Sequence, residues 1–240
     1  MCGRFSLHHP TDEIHEHFNI EYPVFLVEPR YNIAPTQTVA VVALRPRPAV
    51  AGEDPSDAHP PGAGSPAPRS GRALGSMRWG LVPKWSKEGK PFINARGESI
   101  AEKPSFRTAF RQRRVIVPCS GFYEWATDGK AKIPRHIQLG AGALFGMAAI
   151  WETGPDGKAG VSLITVPANA EISAFHDRMP VILDPEEYAV WLDPTNPTPE
   201  ALIRSLPAGR LTIFPVSSRV NGVKDDDARL IEPERRGLFG

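Results

Sequence analysis

Apolar and polar positions along this chain fall into short segments rather than long periodic ones. Thr38 to Leu44 is an apolar, β-branched run and predicts a strand. Arg114 to Pro118 encloses Val115-Ile116-Val117 and predicts a buried strand, and Gly121 to Trp125 continues it as strand or turn. Ile137-Gln138-Leu139, Leu144 to Trp151, Val161 to Val166 and Leu211 to Val216 predict further strands. Ser76 to Val82 belongs to the same ordered framework. Helical patterns are fewer and short: Thr11 to Phe18, Pro104 to Arg111, Ala168 to Phe175 and Pro185 to Trp191. Thr11 is placed to cap the first of these, with Asp12 and Glu13 at its positive end. Tyr31 to Thr36 reads as a loop.

Strands and helices mix without regular βαβ alternation, which predicts the α+β class with a central, largely antiparallel, barrel-like sheet and flanking short helices. The 240 residues suit one domain, 1–240, with no internal repeat. Residues 45–72 are dense in Pro, Gly, Ala and Ser and almost lack large apolar side chains. Such a segment buries too little surface to offset its ordering entropy, so it reads as a flexible insertion between two strands.

Composition narrows the function classes. No apolar stretch reaches 18 residues, and Met-Cys-Gly-Arg-Phe-Ser is no secretory signal, so the expected compartment is the cytoplasm or the nucleoid within it. Two cysteines, Cys2 and Cys119, are too few for a disulfide scaffold and lack zinc-ligand spacing. The overall charge of +1 hides an asymmetry: Arg69 to Val117 holds twelve basic and three acidic residues, and the remainder is net negative. This basic block is interleaved with Trp79, Trp85, Phe92, Phe106 and Phe110, a composition that suits a polyanion with exposed bases. His8, His9, His15 and His17 read as solvent-facing side chains, and Asp225, Asp226 and Asp227 as a solvated loop rather than a metal site. No metal or cofactor is expected.

Chemistry concentrates in four segments. Cys2 becomes the N-terminus if Met1 is removed, and then carries an α-amine beside its thiol. With reference pKa values of about 8 and about 8.5, both groups would be partly nucleophilic near neutral pH. A 1,2-aminothiol condenses with an aldehyde, first as an imine and then as a thiazolidine ring. Asn94 and Arg96 lie two apart, on one side if the backbone is extended. Glu124, between Tyr123 and Trp125, is a carboxyl in an apolar setting, either raised in pKa for proton transfer or paired with a core arginine. His176-Asp177-Arg178 suits acid–base work or phosphate contact, or is structural. Cys119, after Val115-Ile116-Val117, reads as a buried packing thiol.

Taken together, Cys2-Gly3-Arg4-Phe5, Tyr31-Asn32-Ile33-Ala34-Pro35, Arg78-Trp79-Gly80-Leu81-Val82-Pro83, Asn94-Ala95-Arg96, Gly121-Phe122-Tyr123-Glu124-Trp125, His176-Asp177-Arg178-Met179-Pro180 and Val216 to Asn221 resemble the SRAP domain, the SOS-response-associated peptidase family. The motifs fall in family order. The departures are the 45–72 insertion and Gly97-Glu98, where the family pattern has Ala-Glu. The resemblance implies an α+β barrel-like core with a positive groove. It also implies binding of single-stranded DNA and single-strand/double-strand junctions, with covalent capture of abasic sites by a monomer. Carried over, Cys2 is the nucleophile, Asn94 holds its amine, Glu124 moves protons, and His176 bonds the opened sugar and assists reversal. Arg4, Arg78, Arg96 and Arg178 would bind phosphates, while Pro35, Trp79 and Trp85 would wedge or stack against bases.

Two other readings stay open. An N-terminal-nucleophile hydrolase or peptidase would use Cys2 on an acyl carbon, with removal of its own Met1 as one such reaction. A noncovalent single-strand DNA-binding module would not need Cys2 at all.

Overall fold

Strand pairing runs from Phe5 to Pro215. The computed structural model describes residues 2–22, 26–46, 70–86, 89–129, 131–196 and 199–234. In chain order, β1 (Phe5–Leu7) and α1 (Thr11–Phe18) lead to β2 (Arg30–Ile33), β3 (Thr38–Pro46), β4 (Ser70–Trp79) and β5 (Asn94–Arg96). Next come α2 (Arg107–Gln112), β6 (Arg114–Cys119), β7 (Gly121–Asp128), β8 (Ala131–Leu139), β9 (Phe145–Thr153) and β10 (Ala159–Pro167). The chain continues through β11 (Arg178–Pro180), β12 (Ile182–Leu183), α3 (Tyr188–Leu192) and β13 (Leu211–Pro215).

The strands form two sheets. One has the order β13-β8-β7-β1-β2. The other runs β11-β10-β4-β3-β6-β9-β12, and β9 also pairs with β10, so β10, β4, β3, β6 and β9 close into a ring. Most pairings are antiparallel, while β10 takes β4 and β5 in parallel. This is the α+β, barrel-like class that the sequence predicts. The main core packs Phe5, Trp79, Val117, Phe122, Met147 and Leu163 among many other buried side chains, and each large one contributes roughly 1.5–3 kcal/mol. A smaller core of Tyr123, Val216, Val220 and Leu230 also forms. Its Tyr123 alternates along β7 with Phe122 and so lies on the other face of the first sheet.

Several expectations need correction. Tyr31 to Thr36 is not all loop: Arg30–Ile33 is a strand, fixed by β1 on one side and by Asp226, whose carboxylate accepts the N–H groups of Tyr31 and Asn32. Asp226 is therefore a structural anchor. Asp225 and Asp227 pair with Arg219, so this triplet is engaged rather than simply solvated. Thr11 does not cap α1; its hydroxyl exchanges hydrogen bonds with the backbone of Val27, and Pro10 occupies the cap position. Ala168 to Phe175 forms turns instead of a helix: Asn169 takes the N–H groups of Glu171 and Ile172 as an N-cap does, but the segment closes into turns before His176. Pro185 to Trp191 is a 3₁₀ turn with an Asp184–Glu187 capping box, running into α3.

The histidines are not all solvent-facing. The His8 ring stacks between those of His9 and Tyr31, and His17 Nε2 meets the Tyr188 hydroxyl at 2.9 Å. Strand structure also runs into both ends of the proposed insertion, pairing Pro46 with Ser70. The part between, 47–69, lies outside the described residues. Among the described residues no helix is long and apolar enough to cross a membrane.

Candidate active site

β1 lies between β2 and β7, with Phe5 opposite Phe122. Pairing extends one residue beyond the strand, since Tyr123 N–H donates to the Arg4 carbonyl at 2.9 Å. This lays the N-terminal segment along β7 and delivers Cys2 to the core fully buried. Asn94 arrives on β5, held by the parallel register Asn94–Leu163. Its Nδ2 donates to the Cys2 carbonyl at 2.9 Å. The resemblance implies a contact with the Cys2 amine; the bond seen goes to the carbonyl. Asn94 Oδ1 is buried with no hydrogen-bond partner among the described residues, which leaves an acceptor beside Cys2.

Glu124 sits on β7, 3% exposed. Burial pushes its carboxyl pKa up, against which the nearby positive charge of His176 pulls it down. The Cys2 thiol is pushed far up, first by burial and then by the negative charge of Glu124. Here the sequence reading needs correction. A reference thiol would be partly ionised near neutrality, but this one is held as the neutral S–H by its surroundings.

His176 stands in the turn that enters β11. Its Nδ1 accepts the Arg178 backbone N–H at 2.9 Å, which assigns the proton of the neutral ring to Nε2. Asp177 Oδ1 lies 3.0 Å from the same Nδ1. Cys2, Asn94, Glu124 and His176 thus converge from four separate segments. Together they offer a neutral thiol, a proton-exchanging carboxyl, an imidazole and an amide acceptor.

The other sequence-predicted residues divide. Arg78 and Arg96 are exposed, Pro35 is half-buried in the turn after β2, and Trp85 is 63% exposed. Trp79 is fully buried, its indole N–H bonded to the Ile93 carbonyl at 2.9 Å and its ring edge-on to Phe5 at 5.2 Å. It packs the floor of the fold and has no face for a base. Arg178 is 9% exposed; Glu98 grips it with both carboxylate oxygens, and the Thr165 carbonyl takes it at 2.6 Å. Its terminal nitrogens are engaged by protein groups while its Nε has no partner among the described residues, and its backbone N–H donates to His176 Nδ1. Arg4 is half-buried and bonds Asn32 Oδ1 and the Val220 carbonyl, both at 2.6 Å. Within the basic block, Arg113 pairs with Glu152 and Arg114 is buried among backbone carbonyls. Cys119 is fully buried, as a packing thiol should be.

Sequence reasoning missed Arg135. It pairs with Glu124 across β7 and β8, and its guanidinium lies 5.9 Å over the Phe175 ring. No motif marks it, and only the strand register brings it to the site.

The family described as SOS response associated peptidase (SRAP) matches residues 1–223. "Abasic site processing protein YoqW" of Bacillus subtilis (strain 168) is 37% identical over 247 residues, covering 97% of this chain and 99% of that protein. "Abasic site processing protein YedK" of Escherichia coli (strain K12) is 29% identical and covers 97% of this chain and 100% of its own. A crystal structure of a protein from Bacteroides thetaiotaomicron shares the fold with a TM-score of 0.77 at 21% identity, covering 98% and 100% of the two chains. The chain belongs to the SRAP family.

Proposed function

We propose that this protein processes abasic sites in DNA by covalent capture, using Cys2 as its N-terminal residue after removal of Met1. The observation that carries the reading is the buried Cys2 thiol beside a raised-pKa Glu124, in a chain whose relatives are named abasic site processing proteins.

An abasic sugar rests mainly as a closed hemiacetal. To open it, Glu124 takes the proton of the C1′ hydroxyl as the C1′–O4′ bond breaks and O4′ gains a proton. A carboxyl poised above its ordinary pKa suits both halves of that exchange. The Cys2 amine, its N–H accepted by Asn94 Oδ1, adds to the C1′ aldehyde, and loss of water gives the imine. The thiol then adds across the C=N bond, sulfur to carbon and proton to nitrogen, and closes the thiazolidine. Glu124, beside the thiol, can take its proton as sulfur adds to carbon. His176, with its proton on Nε2, hydrogen-bonds the opened sugar and returns a proton in reversal.

The strand is single-stranded DNA, or a junction with duplex. Arg78 and Arg96 supply sequence-neutral phosphate contacts, and Trp85 a stacking surface worth roughly 1–3 kcal/mol per base. Pro35 borders the same approach.

Mixing the protein with an abasic single-stranded oligonucleotide tests the reading. A heat-stable crosslink that Cys2→Ala abolishes is expected. Normal capture by a folded Cys2→Ala variant would contradict it.

A further inference from the structure

Arg135 occupies the β8 position directly opposite Glu124, so the two side chains leave the sheet on the same face. Its half-buried guanidinium lies over Phe175, the residue before His176. Arg135 is therefore tied to two elements of the candidate site, through the β7–β8 register and through the turn that carries His176. Its Nε is buried with no hydrogen-bond partner, and none of the ion pairs among the described residues includes it. Arg4 and Arg178 share a buried, unpartnered Nε, but their terminal nitrogens bond protein oxygens, whereas no such bond engages the terminal nitrogens of Arg135 among the described residues. A partly desolvated guanidinium without an anion is costly to keep, and that cost is recovered when an anion arrives. Over an aromatic ring it retains its in-plane N–H donors, the fork that grips a phosphate with two hydrogen bonds.

We infer that Arg135 is an anion-binding residue of this site, which takes a backbone phosphate flanking the sugar that Cys2 captures. The inference rests on the abasic-site reading and adds a residue to it. The phosphate beside the lesion is fixed over the Glu124–His176 side of the pocket, and the sugar is thereby presented to Cys2. Arg135 acts on binding of the strand and not on the condensation itself.

The test compares the full chain with Arg135→Gln and Arg135→Lys, each checked for unchanged melting temperature. Two probes are used: a single-stranded oligonucleotide with one abasic site, and 2-deoxyribose, which offers the aldehyde without phosphate. For Arg135→Gln, the oligonucleotide concentration giving half-maximal crosslinking should rise about tenfold, the weight of one charge-assisted hydrogen bond. Its dependence on log salt should lose about 0.7 of slope, the share of one single-strand phosphate. The maximal rate and the rate of 2-deoxyribose adduct formation, read by intact mass, should stay at the wild-type level, and Arg135→Lys should recover most of the affinity. Unchanged concentration dependence and salt slope would overturn the assignment. So would equal losses on oligonucleotide and 2-deoxyribose, which would place Arg135 among the groups that tune Cys2 or Glu124. A wild-type protein that captures 2-deoxyribose but not abasic DNA would overturn the abasic-site reading instead, and this inference with it.

Discussion

Two neighbouring rungs of the β7–β8 ladder have opposite fates. Glu124 faces Arg135, and one residue earlier Tyr123 faces His136. The Tyr123–His136 rung points into the smaller core and is used up by structure. Tyr123 donates its hydroxyl to the Tyr31 carbonyl at 2.7 Å, and His136 Nε2 meets Ser6 Oγ at 3.2 Å. The Glu124–Arg135 rung points toward Cys2 and His176, with a carboxyl raised by burial and a guanidinium whose Nε has no hydrogen-bond partner among the described residues. Strand alternation alone separates them. A polar pair that closes on the protein stabilises it, and one that stays open to a ligand is available for chemistry.

Substitutions on the two rungs should therefore separate rate from stability. Glu124→Gln should cut the crosslinking rate by about 10²–10⁴-fold, the usual weight of a general acid–base. Affinity for intact single-stranded DNA should hardly change. The rate of the wild type should titrate on a limb above the ordinary carboxylate pKa of 4.5, and Glu124→Gln should erase that limb. His136→Ala should do the reverse, destabilising the fold by about 2–4 kcal/mol in denaturant unfolding while the folded fraction crosslinks normally.

The pH dependence of stability sharpens the same contrast. Burial holds His136 down to about 3 and His8 to about 4, from an ordinary 6.5. Both are favoured neutral in the fold. Their contribution is present above pH 6.5 and is lost as pH falls through that window toward 4 and 3. The denaturant midpoint should drop over that range, and His136→Phe should flatten part of the drop. Tyr123→Phe should cost about 1 kcal/mol and leave crosslinking alone. Smallest of all, replacing 47–69 with a short turn that joins the Pro46–Ser70 pair should leave capture unchanged, as a comparison of crosslinking rates would show.

Strands were the most readable part of the sequence, because β-branched runs such as Val115-Ile116-Val117 carry their own signal. β2 did not, since its support is Asp226, nearly two hundred residues away. Residues 168–175 carry helix-forming side chains and an N-cap-like Asn169, yet the segment turns over into β11 within two turns of chain. The candidate site reads in the sequence as Cys2, Asn94, Glu124 and His176. Their segments hold unusual polar groups in apolar company, and the family pattern links them. Exposure was not legible. Trp79 and Arg78 are adjacent, yet one is floor and the other surface. The pairing of Arg178 with Glu98, eighty residues away, carries no sequence signal. Arg135 carried no signal, because its meaning is its register with Glu124.

The most direct test is a denaturing gel, with intact mass spectrometry, of the protein mixed with a single-stranded oligonucleotide carrying one abasic site. The account predicts a heat-stable band on chains that lack Met1, with a mass equal to protein plus oligonucleotide minus one water, and no band for Cys2→Ala. A folded protein with a free Cys2 terminus that gives no crosslink would contradict it.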